Sequence, residues 1–296
     1  MCAAVLAPRG VRSYMVAING DGDVIDHVGL DWLHSRRSPD YQHKYRADKT
    51  AIRTFLEKHS PHVVGLGADS MDAKFFANDL SEILSEAMPD KGVEVELMPM
   101  DMARVFAAGR RSTREFPSFP VELRMAVSVA RRMQAPEVEM AALFGPARDI
   151  LCIQMHPLQQ RVAGDVLYAA LHREVMVAVN RCGVRVNSAV SRPHVAATLE
   201  FVCGLGPRKA DLLLSTIRKH YRGRLTNRKQ VRVLLSFAAC MCLVCVCDGA
   251  CVHACVRACV CACVRACVRV CVCQLHASSS PISRLCHLLL LLFPLQ

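Results

Sequence analysis

The strongest constraint on the fold is the order in which two hydrophobic periods succeed one another through residues 1–108. Residues 2–7, Cys-Ala-Ala-Val-Leu-Ala, form a short apolar run that Pro8, Arg9 and Gly10 end in a turn. Residues 13–18 are a second run and residues 24–30 a third, with Asn19-Gly20 between them as a tight-hairpin signal. Three strands joined by tight turns make an antiparallel meander. After a polar segment the period becomes helical, and residues 48–59 put Ile52, Phe55 and Leu56 inward. Residues 61–67 read as a buried strand, and its glycines predict an abrupt exit. Residues 71–87 make an amphipathic helix carrying Phe75, Phe76, Leu80, Ile83 and Leu84. Residues 93–97 alternate as a strand should, and residues 101–108 start another helix.

The resulting order is β-β-β-α-β-α-β-α. Three antiparallel strands followed by αβ crossovers is the ribonuclease-H-like plan, a mixed sheet with helices on both faces. The chain then turns all-helical. Phe116-Pro-Ser-Phe-Pro120 reads as a linker and residues 121–134 as a helix, followed by a break at Pro136 and a short helix to Leu143. Residues 149–155 make a short extended or helical piece. A long helix is expected over residues 157–182, with Pro157 at its start, Gly183 past its end, and Val166, Leu167, Ala170, Leu171, Met176 and Val179 as its buried stripe.

The segment Phe201-Val-Cys-Gly-Leu-Gly-Pro-Arg-Lys-Ala210 lies between two apolar-periodic stretches, residues 195–202 and residues 209–220. The second puts Leu212, Leu213, Thr216 and Ile217 on one face. Glycine permits positive φ and close backbone approach, and Pro207 can open a helix because it needs no amide donor there. The N-terminus of that helix presents free N–H groups and a positive dipole end, which suits phosphate. The layout is that of a helix-hairpin-helix, a sequence-independent reader of nucleic-acid backbone; an ordinary αα-turn without ligand is the alternative. Arg218, Lys219, Arg222, Arg224, Arg228, Lys229 and Arg232 follow, with Asp211 as the nearby acid. Such a block is the electrostatic footprint of phosphate binding. The expected nucleic-acid-binding residues are Gly204, Leu205, Gly206, Arg208, Lys209, Arg218 and Lys219.

A net charge of +11 over 296 residues favours a polyanionic partner. Of 17 cysteines, Cys2, Cys152, Cys182 and Cys203 precede residue 240 and the other thirteen crowd the remainder. The first part therefore reads as a reducing-compartment chain with isolated thiols and no disulfide framework. Residues 1–7 lack the charged start and the length of a secretory signal. The run of leucines at 288–292 is far short of the roughly 20 residues that span a bilayer, so no membrane partner is expected. Asn19, Asp21 and Asp23 imitate a calcium loop, but its sixth position is Val24 and its twelfth is Leu30, so a hairpin turn is the better reading. His27, His34, His43, His59 and His62 show no metal-ligand spacing. No metal or other cofactor is expected.

Residues 1 to about 231 resemble the central core of the eukaryotic suppressor-of-Ty transcription elongation factor and histone chaperone (the sixth of that class), and more distantly bacterial Tex. The blocks that carry the resemblance are Val16-Ala-Ile-Asn-Gly-Asp-Gly-Asp-Val-Ile-Asp-His27, Pro61-His-Val-Val64, and Glu115-Phe-Pro-Ser-Phe-Pro-Val-Glu-Leu-Arg-Met-Ala-Val-Ser-Val-Ala-Arg-Arg132. Asp149-Ile-Leu-Cys-Ile-Gln-Met-His-Pro-Leu-Gln159 and Phe201-Val-Cys-Gly-Leu-Gly-Pro-Arg-Lys209 are the most specific of them. The resemblance implies a YqgF/ribonuclease-H-like domain over residues 1–110 with a truncated first strand, a helical connector over 111–185 and a helix-hairpin-helix element over 186–231. It also implies a nuclear, non-enzymatic scaffold that binds DNA or RNA backbone and works with the RNA polymerase II elongation complex and histones on chromatin. The family's N-terminal acidic and helix-turn-helix regions, its OB-fold domain and its C-terminal phosphopeptide-binding domains are expected to be missing.

Ribonuclease-H-like nucleases place carboxylates at strand ends to hold two divalent metals about 4 Å apart. The essential one sits in the first strand, which here carries no acid; its position falls near Val5. Asp69 after the fourth strand and Asp101 after the fifth are relic candidates, or helix N-terminal residues favoured by capping. The expectation is an inactive domain with no catalytic residues. An active YqgF-type nuclease or resolvase using Asp69 and Asp101 is the alternative.

From about Val231 the resemblance stops. Residues 232–296 are a low-complexity tail whose Cys-x-Cys spacing invites a metallothionein reading. Its Cys, Val, Ala and Arg alphabet fits an in-frame TG/CG dinucleotide repeat better, and the GT that begins valine codons also begins introns. The tail is accordingly read as translated intron, joined at Val231 or Val233.

Overall fold

The computed structural model describes residues 1–35, 39–227, 230 and 234. Arg228, Lys229, Arg232 and the Cys/Val-rich tail, with its reading as translated intron, lie outside the described residues. The chain forms two compact units, one from Met1 to Pro207 and one from Arg208 onward.

The first unit is built on a five-stranded mixed sheet of order β3-β2-β1-β4-β5. Its strands are β1 (Cys2–Val5), β2 (Ser13–Ile18), β3 (Val24–Leu30), β4 (Val63–Gly67) and β5 (Glu94–Met98). β1 pairs antiparallel with β2 and parallel with β4, so the meander of β1 to β3 is extended by two crossover strands. β1 is covered on both faces, which is why its sequence is a continuous apolar run with no alternation. Cys2, Ala4, Met15, Ala17, Val64 and Leu66 face one core with helices α1 (Gln42–His59) and α2 (Met71–Ala87). Ala3, Val5, Val16 and Ile18 face a second core with α3 (Asp101–Ala108) and, after the short α4 (Arg110–Glu115), with α5 (Val121–Gln134).

β4 ends at Gly67, and its glycines also permit close packing. A Cβ at Gly65 would stand 2.6 Å from Met133 Sδ, and one at Gly67 2.3 Å from Met100 Sδ. Phe75, expected inward, is 41 % exposed on α2. α1 begins at Gln42, a turn and a half earlier than its apolar pattern suggests.

Beyond α5 the first unit holds α6 (Pro136–Ala141), α7 (Gly164–Cys182), α8 (Val186–Ser191) and α9 (Pro193–Ala196). Phe144, Ile150, Val175, Val179 and Phe201 gather with Met102 and Phe106 of α3 in a third core. The long helix expected from Pro157 starts at Gly164 instead. The imidazole of His156 accepts from Leu158 N–H, and the Gln159 side chain accepts from Met155 N–H while donating to Ile153 C=O. These bonds hold residues 157–161 in a separate 3-10 turn. Val166 is 62 % exposed, and Val175 with Val179 supplies the buried stripe. The segment before the hairpin, expected as one short helix, is α9 followed by a 3-10 turn over Ala197–Phe201.

The described part of the second unit is mainly α10 (Pro207–His220). Its buried residues are Ala210, Leu213, Leu214 and Ile217, a stripe of i, i+3, i+4 and i+7. Leu214 takes the inward place expected of Leu212 and Thr216, which are half-buried. Among the described residues no helix is long and apolar enough to cross a membrane.

Candidate nucleic-acid interface

The first unit ends in a four-residue turn in which Leu205 N–H donates to Val202 C=O at 2.9 Å. Gly204 sits in it at φ +84°, a conformation that L side chains rarely adopt, and Leu205 is buried. Gly206 needs no unusual backbone, and a Cβ added there would meet nothing within 4 Å. The glycine leaves open space.

α10 follows from Pro207, as the proline predicts. Arg208, exposed, and Lys209, half-buried, stand in its first turn. A helix start in general presents amides without an intrahelical acceptor. Arg218 and Lys219 occupy the last turn, where cations favour the negative dipole end. At 1.5 Å per residue the two cation pairs lie about 15 Å apart along the axis. The expected residues therefore divide: Arg208 and Lys209 share a helix start, whereas Arg218 and Lys219 belong to the opposite end with exposed Arg222 and Arg224.

The relic acids meet a cation of their own. Arg104 on α3 forms an ion pair with Asp69 through Nη2, and its Nη1 lies 3.6 Å from Asp101. Neither acid caps its helix with a side chain, as the capping reading would have it. Ser70 caps α2, its hydroxyl accepting from Ala73 N–H, and Met100 precedes α3. Val5, where the first-strand acid would stand, is 2 % exposed in the apolar core with Met98, Met100 and Ala103. Among the described residues no group of three or more His, Cys, Asp or Glu could hold a metal ion.

The Asn19–Asp23 segment is a hairpin turn. Asn19 Oδ1 accepts from the N–H groups of Asp21 and Asp23, both at 2.9 Å. Its acids turn toward arginines far along the chain. Arg192 reaches Asp23 Oδ2 at 2.8 Å and Asp21 at 3.2 Å, and Arg185 reaches Asp21 at 3.3 Å. The hydrogen bond from Arg192 holds the Asp23 carboxyl below its ordinary range.

Behind this hairpin lies a buried polar joint. Arg131 on α5, 4 % exposed, donates to Gly22 C=O at 2.8 Å and to Glu115 at 2.6 Å. His194, also buried, lies 3.1 Å from Asp21 C=O and 3.6 Å from Glu115. Burial opposes ionisation of Glu115, but bonds and charge from His194 and Arg131 prevail and hold its carboxyl at about 2. Glu139, on α6, accepts from Ser128 at 2.6 Å, and burial pushes its carboxyl up. Sequence reasoning missed the roles of Arg104, Arg131, Arg192 and His194. One signal was available, since Glu115 and Arg131 both fall within the long block that carries the family resemblance.

A mixed sheet with two parallel crossover strands, followed by a helical segment and a glycine turn opening a helix, defines a YqgF-type, ribonuclease-H-like domain joined to a helix-hairpin-helix. Comparison with known proteins agrees. Residues 9–144 match the family model described as the Holliday-junction resolvase-like domain of SPT6, and residues 148–245 match a helix-hairpin-helix motif. The second match runs beyond residue 231. The chain is 32 % identical over 232 residues to transcription elongation factor SPT6 of Drosophila melanogaster, covering 75 % of this chain and 12 % of that protein. It is 31 % identical over 216 residues to the suppressor of Ty 6 homolog of Caenorhabditis elegans, covering 71 % and 14 %. With spt6 of Schizosaccharomyces pombe the figures are 27 % over 226 residues, 75 % and 16 %. The chain belongs to the SPT6 family of transcription elongation factors, and it spans less than a fifth of the length of these relatives.

Proposed function

We propose that this chain is a non-enzymatic, nucleic-acid-binding scaffold of the transcription elongation machinery. It grips phosphate with the first turn of α10, using Arg208, Lys209 and the backbone amides there. The observation that carries this reading is the opening of α10 at Pro207 with two cations in its first turn, directly after a glycine pair whose second member leaves open space. A backbone reader needs that arrangement, because phosphate must approach main-chain N–H groups closely. Such contacts carry no base information, so DNA and RNA are both substrates of the grip. By its family the chain acts in the nucleus with the RNA polymerase II elongation complex and histones, as part of a histone chaperone. The sheet domain serves packing and docking, since Arg104 and Val5 occupy the places a metal clamp needs.

Fluorescence anisotropy of a labelled duplex against the full chain tests this. Arg208→Glu with Lys209→Glu is expected to weaken binding at least tenfold. Neutralising the same pair is expected to lower the salt slope by about 2, at roughly 0.9 per phosphate contact. Binding indifferent to the charge reversal would refute the assignment. Mg²⁺-dependent cleavage of a branched duplex, abolished by Asp101→Ala, would establish the nuclease reading in its place.

A further inference from the structure

A second basic feature lies in the first unit, apart from the turn of α10. α4 and the loop over residues 142–147 enclose an open cleft of about 1010 Å³. Its floor is held by Arg111, whose guanidinium donates to Ala142 C=O at 3.0 Å and to Pro193 C=O at 2.7 Å. Arg110 and Arg114 flank it. They stand four apart on α4 and therefore on one face, both exposed, and neither forms an ion pair among the described residues. Leu143, Phe144 and Pro146 also line the cleft and supply apolar surface. The Asp149 carboxylate and the buried, unpartnered Oε2 of Glu115 also line or adjoin the space.

We propose that this cleft binds an extended acidic peptide segment of a partner protein. The size is at the top of the range for small-molecule pockets, roughly 300–1,000 Å³, and the cleft is open, so a segment of chain fits better than a metabolite. An extended chain alternates its side chains between two sides. Acidic residues on one side meet Arg110 and Arg114 in charge-assisted hydrogen bonds, while apolar residues on the other meet Leu143, Phe144 and Pro146. The Asp149 carboxylate, an acceptor in the lining, favours a ligand with main-chain N–H donors. A phosphodiester backbone has none.

The test uses the full chain under reducing conditions and a fluorescein-labelled octapeptide of alternating Glu and Leu. A Lys/Leu octapeptide and an unlabelled single-stranded oligonucleotide complete the set. The Glu/Leu peptide is expected to bind and the Lys/Leu peptide to fail. Arg110→Glu with Arg114→Glu is expected to weaken the Glu/Leu peptide at least tenfold, and the two alanine substitutions severalfold. If the charge-reversed protein loses its thermal transition, the alanine pair decides. Arg208→Glu with Lys209→Glu leaves peptide binding unchanged, which separates this cleft from the phosphate grip of α10. The proposal is overturned if the wild-type chain does not bind at millimolar peptide, if the Lys/Leu peptide binds equally, or if the Arg110 and Arg114 changes have no effect. Displacement of the peptide by the oligonucleotide, with oligonucleotide binding lost in the same variants, assigns the cleft to nucleic acid and also overturns it.

Discussion

Two pairs of aspartates in this molecule sit where a metal ligand is easily imagined, and arginine answers both, in different ways. At the strand-end corner, Asp69 and Asp101 face Arg104, and all three side chains are a third or more exposed. At the hairpin, Asp21 and Asp23 face Arg192, which is 23 % exposed and about 170 residues away along the chain. Directly behind the hairpin the polar contacts continue into the interior through Arg131, Glu115 and His194. The corner pairs neighbours across a solvated surface, where an ion pair contributes little. The hairpin pairs the meander with the far helical segment, backed by Arg131 and Glu115, which are largely shielded from water. Acids of similar appearance in sequence thus serve a surface contact in one place and a structural joint in the other. The depth of the cation decides which.

The largest effect that can break this comparison is at Arg131. Arg131→Ala leaves Glu115 charged, 16 % exposed, and without its closest partner, and it frees Gly22 C=O. Breaking a buried pair from one side costs about 3–5 kcal/mol, readable as a lowered midpoint in urea unfolding. Arg131→Met, which keeps the volume, is expected to lose nearly as much, because the orphaned carboxylate and not the missing methylenes dominates. Full stability in either variant would put the joint on the same footing as the corner.

Acid titration of the same joint comes next. Glu115 is held at about 2 against an ordinary 4.5. A carboxyl depressed on folding contributes stability that is complete above the unfolded value and is lost as pH falls through the folded one. The window is therefore from about 4.5 down to about 2. At roughly 1.4 kcal/mol per unit of displacement the effect is about 3 kcal/mol. Glu139 acts with the opposite sign: its raised carboxyl keeps its proton in the native state above 4.5, so its contribution declines as pH rises. Comparing the acid limb of wild-type unfolding with that of Glu115→Gln isolates the first group. The variant is expected to lose the drop within that window, and an unchanged limb would show that Glu115 is not the group responsible.

How much of this was legible in the sequence follows from the range of each interaction. The strand meander, α2 over Met71–Ala87 and α5 over Val121–Gln134 follow from local periodicity, and the structure keeps the bounds of both helices while β1 ends at Val5, short of the expected run. The start of α10 follows from Pro207, and the turn before it from Gly204. The start of α7 does not, because His156 and Gln159 bind local backbone and detach a 3-10 turn that apolar spacing cannot signal. Sequence adjacency groups Gly204, Leu205, Gly206, Arg208, Lys209, Arg218 and Lys219 as one binding set, whereas helix rise separates its last two members from the rest. The partners of the acids were least legible. Arg104 lies 35 residues from Asp69, and Arg192 lies 169 from Asp23. Nothing local distinguishes either from any other surface arginine.

The smallest expected effect sharpens the corner's side of the comparison. Arg104→Ala removes an exposed guanidinium from two exposed carboxylates, and a change within about 0.5 kcal/mol is expected. The informative measurement is the response of that variant to Mg²⁺. Without Arg104 the two carboxylates repel each other, and a divalent ion would relieve the repulsion if the corner could complete a coordination shell. The strand that should supply another ligand offers Val5, 2 % exposed, and Met100 packs over Gly67 beside it. Neither offers the oxygen that Mg²⁺ requires. The melting temperature of Arg104→Ala is therefore expected to be the same with and without millimolar Mg²⁺. A rise of several degrees with Mg²⁺, absent in wild type and abolished by a further Asp69→Asn, would mean that Arg104 alone keeps a metal out. The corner would then be a closed site and not merely a surface ion pair.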